Sequence, residues 1–492
     1  MKYLYTGDQA KAIDTHAIHT MGMPSPVLME RAAMSMAAVL MKREKHDVKI
    51  LAVCGTGNNG GDAVAAARIL HEQGYYAAIA VVGEEERMTE EMKQQLYLAV
   101  NCQVPVLPLS SISDGVFDVI IDGIFGIGLS RDVTGVYEAV IKSINESSAR
   151  CYAVDIPSGI CAETGHVLNI AVKAFVTVTF GVNKMGLVLY PGCEYAGEVF
   201  ITDIGFPKAS TASVQGRAYF YETEDLHRMP VRENRSHKGT YGHVLVIAGS
   251  KDMCGACFLA AKAAYTAGAG LVRVVTDKTN RTALLGSLPE ILFSEREELP
   301  DVLDWADSVV AGPGIGLSPK AEEMIQYLIK HTSVPTVIDG DAISICGRHA
   351  DTLPGNFILT PHVKEMTYLT GKTIPELLEE IVPSTEDASK KWGCTIVQKD
   401  ARTVVSNGTE TYINTSGNHG MATGGSGDVL AGLMGGLLAQ KMEAFEAAKL
   451  SVYLHGLAGD AMRKEKTAYG LMASDLLEGI PRALKAGQKN ED

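Results

Sequence analysis

The segment Ala422-Thr-Gly-Gly-Ser-Gly-Asp428 precedes a run of helical, apolar composition. Successive free N–H groups at such a helix start form a seat for an anion. An aspartate directly after the turn can take the proton from a hydroxyl attacking a phosphoryl group. Clamp and base together are what phosphoryl transfer needs. The alternative is a glycine-rich helix start in which Gly424, Gly425 and Gly427 only turn the chain and Asp428 is a capping acid. Lys399-Asp400-Ala401-Arg402-Thr403 follows a strand-like run, and its two cations suit a nucleotide phosphate; an exposed basic turn is the other reading. Gly312-Pro-Gly-Ile-Gly316, Asp339-Gly-Asp341 and Thr360-Pro-His362-Val-Lys-Glu365 are further polar turns, and His362 alone reads more readily as a structural residue than as a catalytic one.

In the first half, Gly55-Thr-Gly-Asn-Asn-Gly-Gly-Asp62 lies between a predicted strand and a predicted helix from Ala63. It is neither the usual dinucleotide GxGxxG nor a Walker A loop, which needs a Lys and a Ser or Thr. A plain turn rarely needs three polar side chains together. Asp122 and Asp155 each end a strand, followed by Gly123 and by Pro157-Ser158-Gly159. Each alone reads as a cap. Converging on one crevice with the asparagines, they offer oxygen ligands to a hard cation or an acid–base group. Lys184 reads as a surface lysine unless it meets a phosphate.

The elements that position these turns are short apolar strands alternating with alanine- and leucine-rich helices, at 49–54, 76–82, 117–122 and 149–155. That alternation predicts a parallel sheet with helices on both faces and ligands beyond the carboxyl ends of the strands. It stops at a polar, proline-containing stretch and restarts at 242–248, which places a boundary near 210–225 and divides the chain into domains 1–217 and 218–492.

The chain has 492 residues, 50 of them glycine, and a net charge of −14. The charge opposes bulk attraction to nucleic acid or to an anionic membrane, and 6% aromatic residues do not favour a base-stacking surface. Nine cysteines, an odd number, form no disulfide framework and suit a reducing cytoplasm. Cys254 and Cys257 make a lone CxxC without the second pair that a zinc site wants. No apolar run of membrane-spanning length and no secretory leader are read.

Taken in order, LMERA (28–32), GTGNNGGD (55–62), DGIFGIGLSR (122–131), AVDIPSG (153–159), HKGTYGHVLVIAGS (237–250), GPGIG, DGDA, TPHVKE, KDART and GMATGGSGD resemble the bifunctional NAD(P)H-hydrate repair family. The resemblance implies an α/β chain of two domains: a Rossmann-like αβα epimerase and a ribokinase-like dehydratase that consumes ADP. It implies that Asn58, Asn59, Gly60, Gly61 and Asp62, with Gly126, Ile127, Gly128, Leu129, Ser130, Arg131 and Asp132, hold the hydrated cofactor. Asn59, Asp122 and Ser158 would hold K+, and Asp155 would do acid–base work. In the second domain Ala256, Gly314 and the run His362, Val363, Lys364, Glu365, Met366, Thr367 and Tyr368 would contact substrate. Lys399, Asp400, Ala401, Arg402, Thr403, Gly424, Gly425 and Gly427 would hold the nucleotide with Mg2+, and Asp428 would activate the ring hydroxyl. The implied substrates are NADHX and NADPHX, and homo-oligomers are expected. Gly340, Cys254 and the order PHVKE depart from the family's usual residues. A ribokinase-type small-molecule kinase with an accessory nucleotide-binding domain is the alternative.

Overall fold

The computed structural model describes residues 1–488. The chain divides into two units, Tyr3–Ala218 and Tyr219–Asp492, the second including Met1–Lys2.

The first unit is built on six parallel strands. Their spatial order is Tyr76–Val81, Lys49–Cys54, Val119–Gly123, Arg150–Val154, Val176–Phe180 and Glu198–Thr202. After its exposed Lys49, the strand KILAVC is apolar at every position because both faces are covered. Ile50, Ala52 and Cys54 pack into the core on one face, Leu51 and Val53 into that on the other. The chain moves one way from Lys49–Cys54 to Tyr76–Val81 and the other way to Val119–Gly123. The order therefore reverses between the carboxyl ends of Lys49–Cys54 and Val119–Gly123, where an open α/β sheet leaves its crevice.

The second unit repeats the principle. Leu292–Glu295, Leu271–Thr276, His243–Ile247, Ser308–Ala311, Thr336–Ile338, Phe357–Leu359 and Thr395–Gln398 are parallel neighbours in that order. Val404–Ser406 and Thr411–Ile413 continue the sheet antiparallel. Val244 and Val246 face one core, Leu245 and Ile247 the other. Here the order reverses between His243–Ile247 and Ser308–Ala311. Among the described residues no helix is long and apolar enough to cross a membrane.

Two helix starts differ from the sequence expectation in the same way. The helix expected from Ala63 begins at Asn58, and the one expected from Val429 begins at Ser426. In both, the polar end of the glycine motif is already the first helical turn, so Asn59, Asp62 and Asp428 are held by helix geometry rather than by a loop.

Candidate functional site

Beyond the carboxyl ends of the first sheet lies a cavity of about 920 Å³. Asn58, Asn59, Asp62, Gly126, Ile127, Gly128, Leu129, Ser130, Arg131 and Asp155 line it. Gly60, Gly61 and Asp132 do not. Gly60 acts from behind: a Cβ there would stand 2.0 Å from the Gly55 carbonyl oxygen, so only glycine lets the helix start this close to its strand.

Asp155 has φ +64°, a left-handed conformation that aspartate tolerates better than most residues. This turn aims its Oδ1 at Thr179 Oγ1 and the Phe180 N–H, each at 3.1 Å, and at the Lys184 ammonium. Lys184, expected at the surface, is 2% exposed. Its Nζ also donates to Thr179 Oγ1 at 2.9 Å and to the Phe180 carbonyl at 3.1 Å. Burial without a counter-charge would be costly for a lysine; the Asp155 carboxylate offsets it. Asp14, which the sequence reading missed, also lines the cavity. Burial, and then the Asp155 charge, raise the Asp14 carboxyl above its ordinary value. Burial, with Asp155 and Asp14 behind it, pushes Asp62 well above its own.

Asp122 and Ser158 lie beside the cavity rather than on its wall. Asp122 is fully buried and accepts from Ser158 Oγ at 2.6 Å, Ser158 N at 2.8 Å and Ile124 N at 3.2 Å. Burial still pushes its carboxyl up to about 6. Ser158 Oγ also receives the Phe125 N–H at 2.8 Å. Asn59 Oδ1 abuts Gly126, and its buried Nδ2 has no partner. The donors gathered here are hard oxygens, the chemistry that suits an alkali or alkaline-earth cation.

In the second unit, Asp428 sits in the first turn of the helix Ser426–Ala439, capped by Gly425 at φ +92°. Burial, and then the charge of Asp339, raise its carboxyl to about 7, with Lys399 opposing. Lys399 Nζ is 2.7 Å from Asp339 Oδ1, which also accepts from Thr360 Oγ1 at 2.6 Å. The position of a Gly427 Cβ would be 3.3 Å from Lys399 Nζ and 3.8 Å from Asp339 Oδ2. Lys399 thus faces the carboxylates beside the anion seat rather than standing in an exposed basic turn. Glu365 Oε2 accepts from the His362 N–H at 2.9 Å, while His362 Nδ1 accepts from Lys364 N at 3.0 Å and Glu365 N at 3.2 Å. This reciprocal cap starts the helix Val363–Thr370. Burial pushes the Glu365 carboxyl up to about 7 and the His362 imidazole below its ordinary value.

Gly314, at φ +58°, approaches Ala256: its Cβ position is 3.0 Å from the Ala256 Cβ, which brings two of the expected substrate contacts together. Asp341 Oδ2 accepts from Gly316 N at 2.9 Å, tying the DGDA and GPGIG turns to each other. Thr403 Oγ1 donates to the Asp400 carbonyl at 3.2 Å, a closed turn that carries Ala401 and Arg402. Cys257 lies against Thr276 Oγ1 at 3.3 Å, and both CxxC thiols are free.

Two largely parallel sheets, each with a glycine-rich helix start and buried carboxylates beyond the carboxyl ends of its strands, define a two-domain α/β enzyme. Residues 25–186 match the family model described as YjeF-related protein N-terminus, and residues 244–482 the one described as NAD(P)H-hydrate dehydratase. The bifunctional NAD(P)H-hydrate repair enzyme of Thermofilum pendens is 35% identical, over 97% of this chain and 95% of its own. A ribokinase-like protein of Enterococcus faecalis matches at 31% identity and TM-score 0.52, over 55% of this chain and 96% of that one. The ADP/ATP-dependent NAD(P)H-hydrate dehydratase of Bacillus subtilis, co-crystallised with ATP and Mg2+, matches at 28% and 0.51, over 55% and 99%. The chain belongs to the family of bifunctional NAD(P)H-hydrate repair enzymes, and its second unit has the ribokinase-like fold.

Proposed function

We propose that the first unit interconverts the R and S epimers of hydrated NADH and NADPH, and that the second returns the S epimer to NAD(P)H at the expense of ADP, giving AMP and phosphate. The observation that carries the reading is Asp428, a carboxyl poised near neutrality in the first turn of a glycine-capped helix.

Hydration of an enamine-type double bond puts a hydroxyl on the carbon next to the ring nitrogen. Hydroxide is a poor leaving group. Asp428 takes the proton of that hydroxyl as its oxygen attacks the terminal phosphorus of the nucleotide. The N–H groups around Gly424, Gly425 and Gly427 hold the phosphoryl oxygens, and Lys399 adds positive charge beside them. The new C–O–P ester then breaks at carbon. Phosphate departs, the neighbouring carbon gives up a proton, and the ring double bond returns. A stable phosphoester, as a small-molecule kinase would make, does not accumulate. The 399–403 turn serves the nucleotide, and Ala256, Gly314 and the 362–368 segment serve the substrate. Among the described residues no group of three or more His, Cys, Asp or Glu could hold a metal ion. Mg2+ would come with the nucleotide phosphates, whose oxygens are the ligands it takes.

In the first unit the helix start at Asn58, Asn59 and Asp62 and the 126–132 loop receive the hydrated cofactor, and Asp155 does acid–base work. The Asp122 carboxylate, Ser158 hydroxyl and Asn59 amide oxygen fit K+, which would neutralise the buried Asp122 and fix the loop at Phe125. Nine free thiols fit a reducing, cytoplasmic setting.

The test is to give the protein mixed epimers of NADH hydrate with ADP or ATP and to follow NADH absorbance. Conversion of both epimers supports both activities; no gain with either nucleotide refutes the reading.

A further inference from the structure

The cavity of the first unit holds more acid–base groups than a single acting Asp155 accounts for. Asp14, on the helix Gly7–Thr15, and Asp62, on the helix Asn58–Glu72, line it together with Asp155 and Lys184. Asp155 is tied by the hydrogen bonds and ion pair described above. No hydrogen bond or ion pair to the carboxyl of Asp14 or Asp62 is present among the described residues. Two unbonded carboxyls facing a cavity beside an ion-paired third is an arrangement for moving protons, not for holding the fold.

Inverting a carbon that bears a hydroxyl next to a ring nitrogen needs two proton transfers. One carboxyl must give a proton to the departing oxygen. The nitrogen lone pair then expels water and the C–O bond breaks, leaving a carbon–nitrogen double bond. Water adds to the opposite face, and a second carboxylate takes its extra proton as the new C–O bond forms. One water leaves and one enters, one proton is given and one taken, and nothing is oxidised or reduced. A single carboxyl held by Lys184, Thr179 and Phe180 does not provide both.

We propose that Asp14 is the second catalytic carboxyl of this cavity, giving or taking the proton on the face that Asp155 does not serve, with the two exchanging roles when the reaction runs in reverse. This rests on the epimerase reading of the cavity. Asp14 is chosen over Asp62 because its carboxyl is the less deeply buried of the two and can reload its proton from water after each turnover.

The experiment uses the full chain and separated R-epimer of NADH hydrate in oxygen-18 water, with S-epimer dehydration by the second unit as the internal control. Asp14→Asn is expected to lower epimerisation about 100-fold or more, with oxygen-18 incorporation falling in step. Asp14→Glu is expected to recover part of it, and Asp62→Asn, a change in a binding residue, to raise KM more than it lowers kcat. Wild-type epimerisation by Asp14→Asn overturns the proposal. So does the pattern in which Asp62→Asn is inactive and Asp14→Asn is not, or epimer exchange without solvent oxygen entering the product. Asp155→Asn separates the two levels. If it too leaves epimerisation intact, the cavity reading fails; if it abolishes epimerisation while Asp14→Asn does not, only the role of Asp14 fails.

Discussion

Lys184 Nζ donates to Asp155 Oδ1, joining residues 29 apart in the chain into an ion pair whose lysine is 2% exposed. Removing the ammonium leaves a carboxylate in a dry setting, a loss that typically costs about 3–5 kcal/mol. Lys184→Met is therefore expected to lower the melting temperature of the first unit and to abolish epimerisation. Dehydration of the S epimer by the second unit should persist. Epimerisation at the wild-type rate in Lys184→Met would show that the pair is not part of the site.

For Asp428 the pH dependence has a definite sign. The group acts as a base, and its carboxyl is raised to about 7, so NAD(P)H formation should climb as pH passes through about 7 and level off above it. The same shift opposes folding. An aspartate whose folded pKa lies above its unfolded one loses stability as pH rises between the two values, and the full cost applies above about 7. Asp428→Asn should thus abolish dehydration, leave epimer exchange in place, and melt higher than the wild type at pH 8, with the gap closing in acid. Thermal unfolding across pH and a rate profile check both halves; a flat profile from pH 6 to 8 would refute the assignment.

How much of this was legible in the sequence follows from how far apart the partners lie. Gly55 to Asp62, Asp122, Asp155 and Asp428 announce themselves because each sits at a strand end within a short local pattern. Lys184 was read as exposed because its partner Asp155 is distant in sequence, and no local periodicity reveals a lysine turned inward. Asp14 was missed for the same reason: its helix carries no glycine motif, and only the folded chain brings it to the cavity. Lys399 pairs with Asp339 across 60 residues, so the turn looked basic and free. Both helices start earlier than Ala63 and Val429 because their glycines lie inside the first turn rather than ending regular structure. At Gly60, glycine instead permits the helix to begin against Gly55.

The Lys399–Asp339 pair bears on both raised carboxyls beside it, since the Lys399 charge opposes the rise at Asp428 and at Glu365. Lys399→Met removes that opposition. The rising limb of the dehydration profile is expected to move up by about one pH unit, the usual size of a close-charge effect. Nucleotide affinity should fall as well if the ammonium helps hold phosphate. Comparing the profile with the KM for ADP separates the two roles: a shifted limb at constant KM assigns Lys399 to tuning Asp428, and a raised KM with an unmoved limb assigns it to the nucleotide.

Asp122 offers the last test, because its carboxyl is fully buried and raised to about 6 while accepting three hydrogen bonds. A cation among Asp122, Ser158 and Asn59 would favour the charged carboxylate and bind only the folded unit, which stabilises it by mass action. Exchanging K+ for tetramethylammonium, which is too large and carries no exchangeable shell, is expected to lower the melting temperature of the first unit and to slow epimerisation. The drop should be largest above pH 6 and shrink below it, where protons compete with the ion for the carboxylate. Asp122→Asn keeps the shape and can still accept from Ser158, but it removes the charge that draws the cation. Its melting temperature should therefore be the same in K+ and in tetramethylammonium. A K+-dependent shift that survives Asp122→Asn would place the ion elsewhere, and the absence of any shift in the wild type would leave Asp122 as a buried acid that only ties Ser158 and Ile124 to the end of its strand.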